Sequence, residues 1–312
     1  MILHRFTNTI AFVALALVAS SAPAITVANG NPASQVVSFN QSVDGVNLNG
    51  EVEIISSGIG GCSGSLLSDG TSILTAGHCV SSFFGGYMSS DVQVYFPTTG
   101  GLSMGYTAVA VDVDPLWTGD ATQGGDLAVI QLGQQAPASA TRYALDTQIP
   151  TTAAALLDGY GDGGTGAAGY DDSLYPFGTL RAGTNAFEET GSAVGWSSTL
   201  LVGQFYESGV PSTNVLGVAN PYSASNEVDI APGDSGGGAF QDGAIVAVND
   251  LIACESTGCT PDSSFGGIFA DTSVYANLSW IEAQEAPEPG TLALMTGALL
   301  GIWLIFGRRA RV

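Results

Sequence analysis

The body of this 312-residue chain holds no long run with the 3.6-residue apolar period of a helix, and that excludes most helical architectures. Apolar residues instead alternate over short runs, at 51–55, 65–67, 72–75, 92–96, 108–113, 127–132, 153–157 and 244–248, punctuated by Gly, Asp, Ser and Pro. Strict alternation places every second side chain on one face of a strand. Many short strands with closely spaced turn signals predict an all-β sandwich or barrel. The exception is 272–286, where Val274, Leu278 and Ile281 fall on one face and a single helix is expected. The polar stretch 134–140, with its Pro and Ala, reads as a linker near the middle of a body large enough for one domain or two small ones.

Both ends differ from this body. Residues 1–24 run from a weakly basic start (His4, Arg5) through an apolar stretch, 10–18, to Ala22-Pro23-Ala24. That layout is a secretory signal peptide with cleavage after Ala24. At the other end, Pro287-Glu288-Pro289 precedes the apolar, uncharged run 291–306 and then Arg308, Arg309 and Arg311. Physically this is a short membrane-spanning segment with its arginines on the cytoplasmic side. Together these features resemble the PEP-CTERM sorting signal of Gram-negative bacteria. The resemblance implies an exosortase-type sorting partner and transient anchoring in the inner membrane by the tail 287–312. It further implies delivery to the cell surface, outer envelope or extracellular matrix.

The chain has 28 acidic and six basic residues, a net charge of −22, and the body's only cations are Arg142 and Arg181. A surface of this sign excludes nucleic acid, which demands phosphate-neutralising cations. Four cysteines, Cys62, Cys79, Cys254 and Cys259, form an even set in a chain read as exported, so two disulfides are expected. Spacing leaves three connectivities open. No CxxC pair is present and the body has one histidine, so no zinc set is expected. Gly159, Gly161 and Gly164 satisfy GxGxxG, but more Gly, Asp and Ser follow where a dinucleotide site needs a helix. The Asp residues 158, 162, 171 and 172 fit no calcium-loop spacing, and 158–173 is expected to be a flexible surface loop.

Three local patterns carry chemistry. Leu74-Thr75-Ala76-Gly77-His78-Cys79 places the body's single imidazole after a short apolar run. Gly125-Asp126 heads the alternating run 127–132, and Pro232-Gly233-Asp234-Ser235-Gly236-Gly237-Gly238 holds a serine in a Gly-rich turn. A serine hydroxyl becomes nucleophilic when a base takes its proton. An imidazole does this near neutral pH if a carboxylate fixes its tautomer. Backbone N–H groups in a Gly-rich turn supply donors for the developing oxyanion.

The order His, Asp, Ser at these separations resembles the trypsin-like (chymotrypsin-type) serine proteases. The likeness runs from about residue 51 to 284 and includes Cys62-Ser63-Gly64-Ser65-Leu66-Leu67, Gly159-Tyr160-Gly161 and Ser279-Trp280-Ile281. It implies two six-stranded antiparallel β-barrels, 51–140 and 141–286, with a C-terminal helix and an N-terminal segment 25–50. By position His78 is implied as general base, Asp126 as its orienting acid and Ser235 as nucleophile. Gly233 and Ser235 would form the oxyanion hole. Peptide bonds of a protein or peptide substrate would be cut through an acyl-enzyme, without cofactor or metal. Cys62 would pair with Cys79, and Cys254 with Cys259 across a short loop. Asp229, six residues before Ser235, would lie at the base of the primary pocket and select Arg or Lys; the alternative is an Asp on a solvated loop.

The chain also departs from the family. Ala231 stands where members often have Cys, and Gly238 where Pro is common. The Ser that backs the orienting Asp is matched to Ala247. An Ile-Val-Gly-Gly type activation sequence is not visible, Val36-Val37 being a poor match. Two other functions compete: a trypsin-fold adhesion or matrix protein with a lapsed triad, and an esterase using the same residues.

Overall fold

Short alternating runs bury one face only when sheets close or stack, and here they do both. The computed structural model describes residues 25–57, 60–82, 85–86, 91–150, 152–218, 227–254 and 262–285. The segments expected to carry the export and sorting signals, 1–24 and 287–312, lie outside the described residues, as does Cys259. Among the described residues no helix is long and apolar enough to cross a membrane.

Six strands close into the first barrel, in the order Tyr106–Val113, Ala128–Leu132, Ser72–Thr75, Gly60–Leu66, Glu51–Ser56 and Val92–Tyr95. Closure leaves no sheet edge unpaired. Val92 and Val94 point inward while Gln93 and Tyr95 are half-exposed, the alternation read in the sequence. Val52, Ile54, Leu66, Ile73, Val129 and Ile130 fill the interior. Gly64 is required there, because a Cβ would come within 2.8 Å of both Ile54 Cδ1 and Ile73 Cγ2. Cys62 and Cys79 are bonded, with Cα atoms 6.0 Å apart at a sequence separation of 17. In the chain-entropy picture a loop of that length contributes about 3 kcal/mol.

The second half is a curled seven-stranded sheet. Its order is Arg181–Ala186, Ala154–Gly159, Gly238–Gln241, Ala244–Cys254, Gly267–Ser273, Leu200–Gln204 and Glu189–Thr190. This seven-stranded sheet curls into a half-barrel in the place of the second six-stranded barrel that the resemblance implies. The fold is mostly β, with one closed barrel, one curled sheet and one C-terminal helix, consistent with the chymotrypsin arrangement. Asp242 and Gly243, both at positive φ, make the two-residue turn between the third and fourth of these strands. Tyr143 joins the halves: its hydroxyl donates to Asn47 O at 2.9 Å, and its ring meets Phe240 edge-on at 4.9 Å.

The helix spans Val274–Gln284, two residues later than expected, because the strand Gly267–Ser273 continues through Thr272 and Ser273. Ser273 caps it by accepting from Ala276 N, and Val274 and Ile281 are buried. Gln131 Nε2 donates to Gln284 O at 2.6 Å, fastening the helix end to the first barrel.

The stretch 158–173 is not the surface loop expected from its Gly and Asp content. Asp158 and Tyr160 are buried, and Ala154–Gly159 and Gly163–Thr165 are strands. Its glycines serve close approach: a Cβ at Gly161 would lie 2.6 Å from Pro232 O and clash with Asp234 N. A further small sheet orders Gly169–Tyr170, Gly163–Thr165, Ile25–Val27 and Val228–Asp229.

Candidate active site

His78 sits in the single turn Gly77–Cys79 that follows the strand Ser72–Thr75. Asp126 lies two residues before Ala128–Leu132, which pairs with that same strand, Ala128 opposite Thr75. This register brings the two residues together. His78 Nδ1 lies 2.7 Å from Asp126 Oδ2, and the His78 backbone N–H donates to Asp126 Oδ1 at 2.7 Å. Gly77 leaves room for this, since a Cβ there would fall 3.0 Å from Asp126 Oδ1. Facing a carboxylate, Nδ1 carries the proton and Nε2 is left as the acceptor. Burial alone would raise the Asp126 carboxyl, but the hydrogen bonds and charge of His78 outweigh it and hold it below its usual value.

Ser235 comes from the other half, in the turn before Gly238–Gln241, and is half-buried. Ser63 on the first barrel stitches this turn down. Its N–H donates to Ser235 O at 2.8 Å and its hydroxyl to Gly233 O at 2.9 Å. Its own carbonyl accepts from Thr75 Oγ1 at 2.7 Å. Cys79 Sγ lies 3.5 Å from Ser235 O. Gly233 and Gly236 have φ of +96° and +87°, the left-handed region that favours glycine. The N–H groups of Asp234, Gly236 and Gly237 donate to Ala231, Asn249 and Asp234 carbonyls. Among the described residues those of Gly233 and Ser235 meet no acceptor, so two donors of the turn are available to a ligand.

Asp234 is buried behind the turn, its carboxyl accepting from Gly161 N and Ala231 N at 2.8 Å each. Burial pushes it up to about 7 against those hydrogen bonds and the Arg181 charge. Arg181, also buried, donates to Thr179 O at 2.7 Å. Burial lowers its guanidinium to about 9.

Asp229 lies in the strand Val228–Asp229 and is fully buried, which overturns the solvated-loop alternative. Neither carboxyl oxygen has a hydrogen-bond partner among the described residues. Burial pushes its pKa well up, and the charges of Asp271, Glu227 and Asp234 add to that. Asp229 Oδ2 is 3.7 Å from where a Cβ on Gly267 would be. Cys254 is disulfide-bonded, while Cys259, its expected partner, lies outside the described residues.

Sequence reasoning missed three side chains. Ser63 holds the serine turn. Asn249 Nδ2 donates to Asp158 O at 2.7 Å while its carbonyl accepts from Gly236 N. Asp250 places Oδ1 3.9 Å from His78 Nδ1, and its Oδ2 accepts from Thr272 Oγ1 at 2.8 Å. The residue backing Asp126 is therefore Asp250 and not Ala247, which packs in the apolar core with Ala239 and Val246. The sequence signal was there: Asn249-Asp250 interrupts an otherwise apolar run.

Two sets of three metal-ligating atoms lie within 4.8 Å among the described residues: Cys62, His78 and Cys79, and His78, Asp126 and Asp250. The two sulfurs of the first are bonded to each other, and the second is already closed by the His78–Asp126 hydrogen bond.

A model of the family described as Trypsin matches residues 45–281. The fold is similar to that of neuropsin, titled a serine protease expressed in the limbic system of mouse brain. That match has a TM-score of 0.55 and 15% identity over 76% of this chain and 94% of the other, a likeness of fold. No curated protein matches the chain.

Proposed function

Because the chain belongs to the trypsin family, we propose that it is an exported serine endopeptidase whose triad is Ser235, His78 and Asp126. The observation that carries this reading is the double contact of His78 with Asp126, at 2.7 Å each, beside a serine turn seated on the same barrel. Ser235 Oγ attacks the substrate carbonyl as His78 Nε2 takes its proton. The free N–H groups of Gly233 and Ser235 receive the oxyanion, a contribution of about 10²–10³ in kcat per donor in such sites. His78 then gives the proton to the leaving amine, and water resolves the acyl-enzyme by the reverse sequence. Asp126 stays ionised throughout and stabilises the imidazolium.

Asp229 is the specificity residue of this reading. An unpaired buried carboxyl is poorly satisfied by itself and gains a charge-assisted partner from a substrate Arg or Lys. Residues 1–24 act as the export signal and 287–312 as the sorting tail. Ile25, first after the proposed cut, is buried at the start of its strand, and its N–H donates to Asp162 O at 2.9 Å. The test is peptide hydrolysis by the purified protein. His78→Ala and Ser235→Ala are each expected to abolish turnover while the fold persists.

A further inference from the structure

Asp250 lies where a regular strand would not put it. Ala244–Cys254 pairs with Gly267–Ser273 through Asn249 opposite Asp271, then shifts so that Leu251 faces Ala270. Asp250 is the extra residue of a β-bulge, a device that re-aims a side chain. Here the bulge directs a buried carboxyl to the first barrel, where an oxygen of Asp250, one of Asp126 and a ring nitrogen of His78 all lie within 4.8 Å of one another. Two buried carboxyls brought this close are best satisfied by one proton held between them. Asp126 already accepts from His78 N and Nδ1. Asp250 Oδ2 accepts from Thr272, and its Oδ1 is buried with no donor among the described residues.

We infer that Asp250 is a positioning residue of the catalytic site: it keeps a proton and donates it to Asp126, so that a carboxylic acid–carboxylate pair with one negative charge orients His78. The inference rests on the triad reading for its role but not for its protonation. The titratable groups facing Asp250 are His78 and Asp126 from the first barrel and Asp271 from the neighbouring strand, whose charge also acts on it. Burial, and then the charge of Asp126, drives the Asp250 pKa well up. Raising the pH strips the shared proton and sets a second negative charge beside Asp126. The bond between the carboxyls is lost and the imidazole loses its fixed support.

The experiment has two arms. Carbon-13 carboxyl NMR on Asp-labelled protein, with the resonance assigned by its loss in Asp250→Asn, is expected to show Asp250 protonated at neutral pH. Titration near the ordinary value of about 4 would overturn the inference. The second arm compares pH profiles of kcat and KM for the natural chain, Asp250→Asn and Asp250→Ala, with near-ultraviolet circular dichroism confirming the fold. An amide still donates to Asp126 and accepts from Thr272. Asp250→Ala is expected to lose about tenfold or more in kcat with little change in KM, the loss of one hydrogen bond to a charged group. Asp250→Asn should recover most of that loss and abolish the alkaline fall of kcat. Equal loss in both variants, an alkaline limb that persists in Asp250→Asn, or tight zinc binding lost in that variant would each contradict it. If Ser235→Ala retains full hydrolysis, the triad reading fails while the NMR arm still decides the shared proton.

Discussion

Gly236 and Thr75 touch with no room for a methyl group between them: a Cβ at Gly236 would overlap Thr75 Oγ1 and the Ser63 carbonyl and lie 3.0 Å from Ala76 N. One residue is next to the proposed nucleophile and the other is three before the proposed base. The contact therefore sets how the serine turn of the second half seats on the barrel that holds His78.

Gly236→Ala is expected to destabilise the protein and depress turnover together. Overpacking of this kind costs about 1–3 kcal/mol, and the left-handed φ of +87° adds about 1–2 kcal/mol for a residue with a Cβ. A thermal melt and a rate on one substrate check this. Unchanged values in both would mean the turn seats differently.

Reduction of Cys62–Cys79, or the double change to Ser, is expected to remove about 3 kcal/mol by the chain-entropy relation for a loop of this length. Turnover should fall as well, because Cys79 adjoins His78 and its Sγ lies beside the Ser235 carbonyl. Denaturant melts with and without reductant measure the first effect. An unchanged midpoint would show the bond to be energetically idle.

Stability should rise as pH falls from 8 to 5. Burial pushes Glu51 and Asp234 up to about 7 and Asp271 to about 8. Glu51 on the first barrel and Asp158 on the second half are both fully buried, and the charge of Glu51 adds to burial in raising Asp158. A carboxyl whose folded value is raised binds its proton more tightly when folded. Its stabilisation is fully present below the unfolded value, about 4, and is lost as pH rises through 7 to 8. Asp126 and Asp171 work in the opposite direction, but their contributions are lost as pH falls through their lowered values, below the ordinary value of about 4 and so outside this window. Melting temperatures at the two pH values test this, and a higher Tm at pH 8 would contradict it.

Specificity is read at Asp229. A peptide-library digest is expected to show cleavage after Arg and Lys, and Asp229→Ser should reduce it by at least the tenfold that ~1.4 kcal/mol represents. Cleavage after large apolar residues, unaltered in Asp229→Ser, would remove Asp229 from the pocket.

Much of this was legible in the sequence, and the failures share a cause. The strands around 92–95 and 128–132 were visible because period-two alternation reports one buried face. The three motifs stand out because each carries the residue types that the proposed chemistry requires. The burial of 158–161 was not, because Gly and Asp there resemble a loop. Only the tertiary approach of Asp234 explains why side chains are absent at Gly159 and Gly161. Asp250 was missed for a related reason: counting along a strand assumes a regular pleat, and the bulge at Asp250 breaks that count. The helix start was displaced because the last strand uses the same residues, Thr272 and Ser273, that begin the apolar period.

The most direct measurement is intact-protein mass spectrometry after exposure to a fluorophosphonate, followed by peptide mapping. The account predicts one phosphonyl adduct per chain on Ser235, absent in Ser235→Ala and strongly slowed in His78→Ala. No adduct on the folded natural chain, or an adduct that persists in Ser235→Ala, would contradict it.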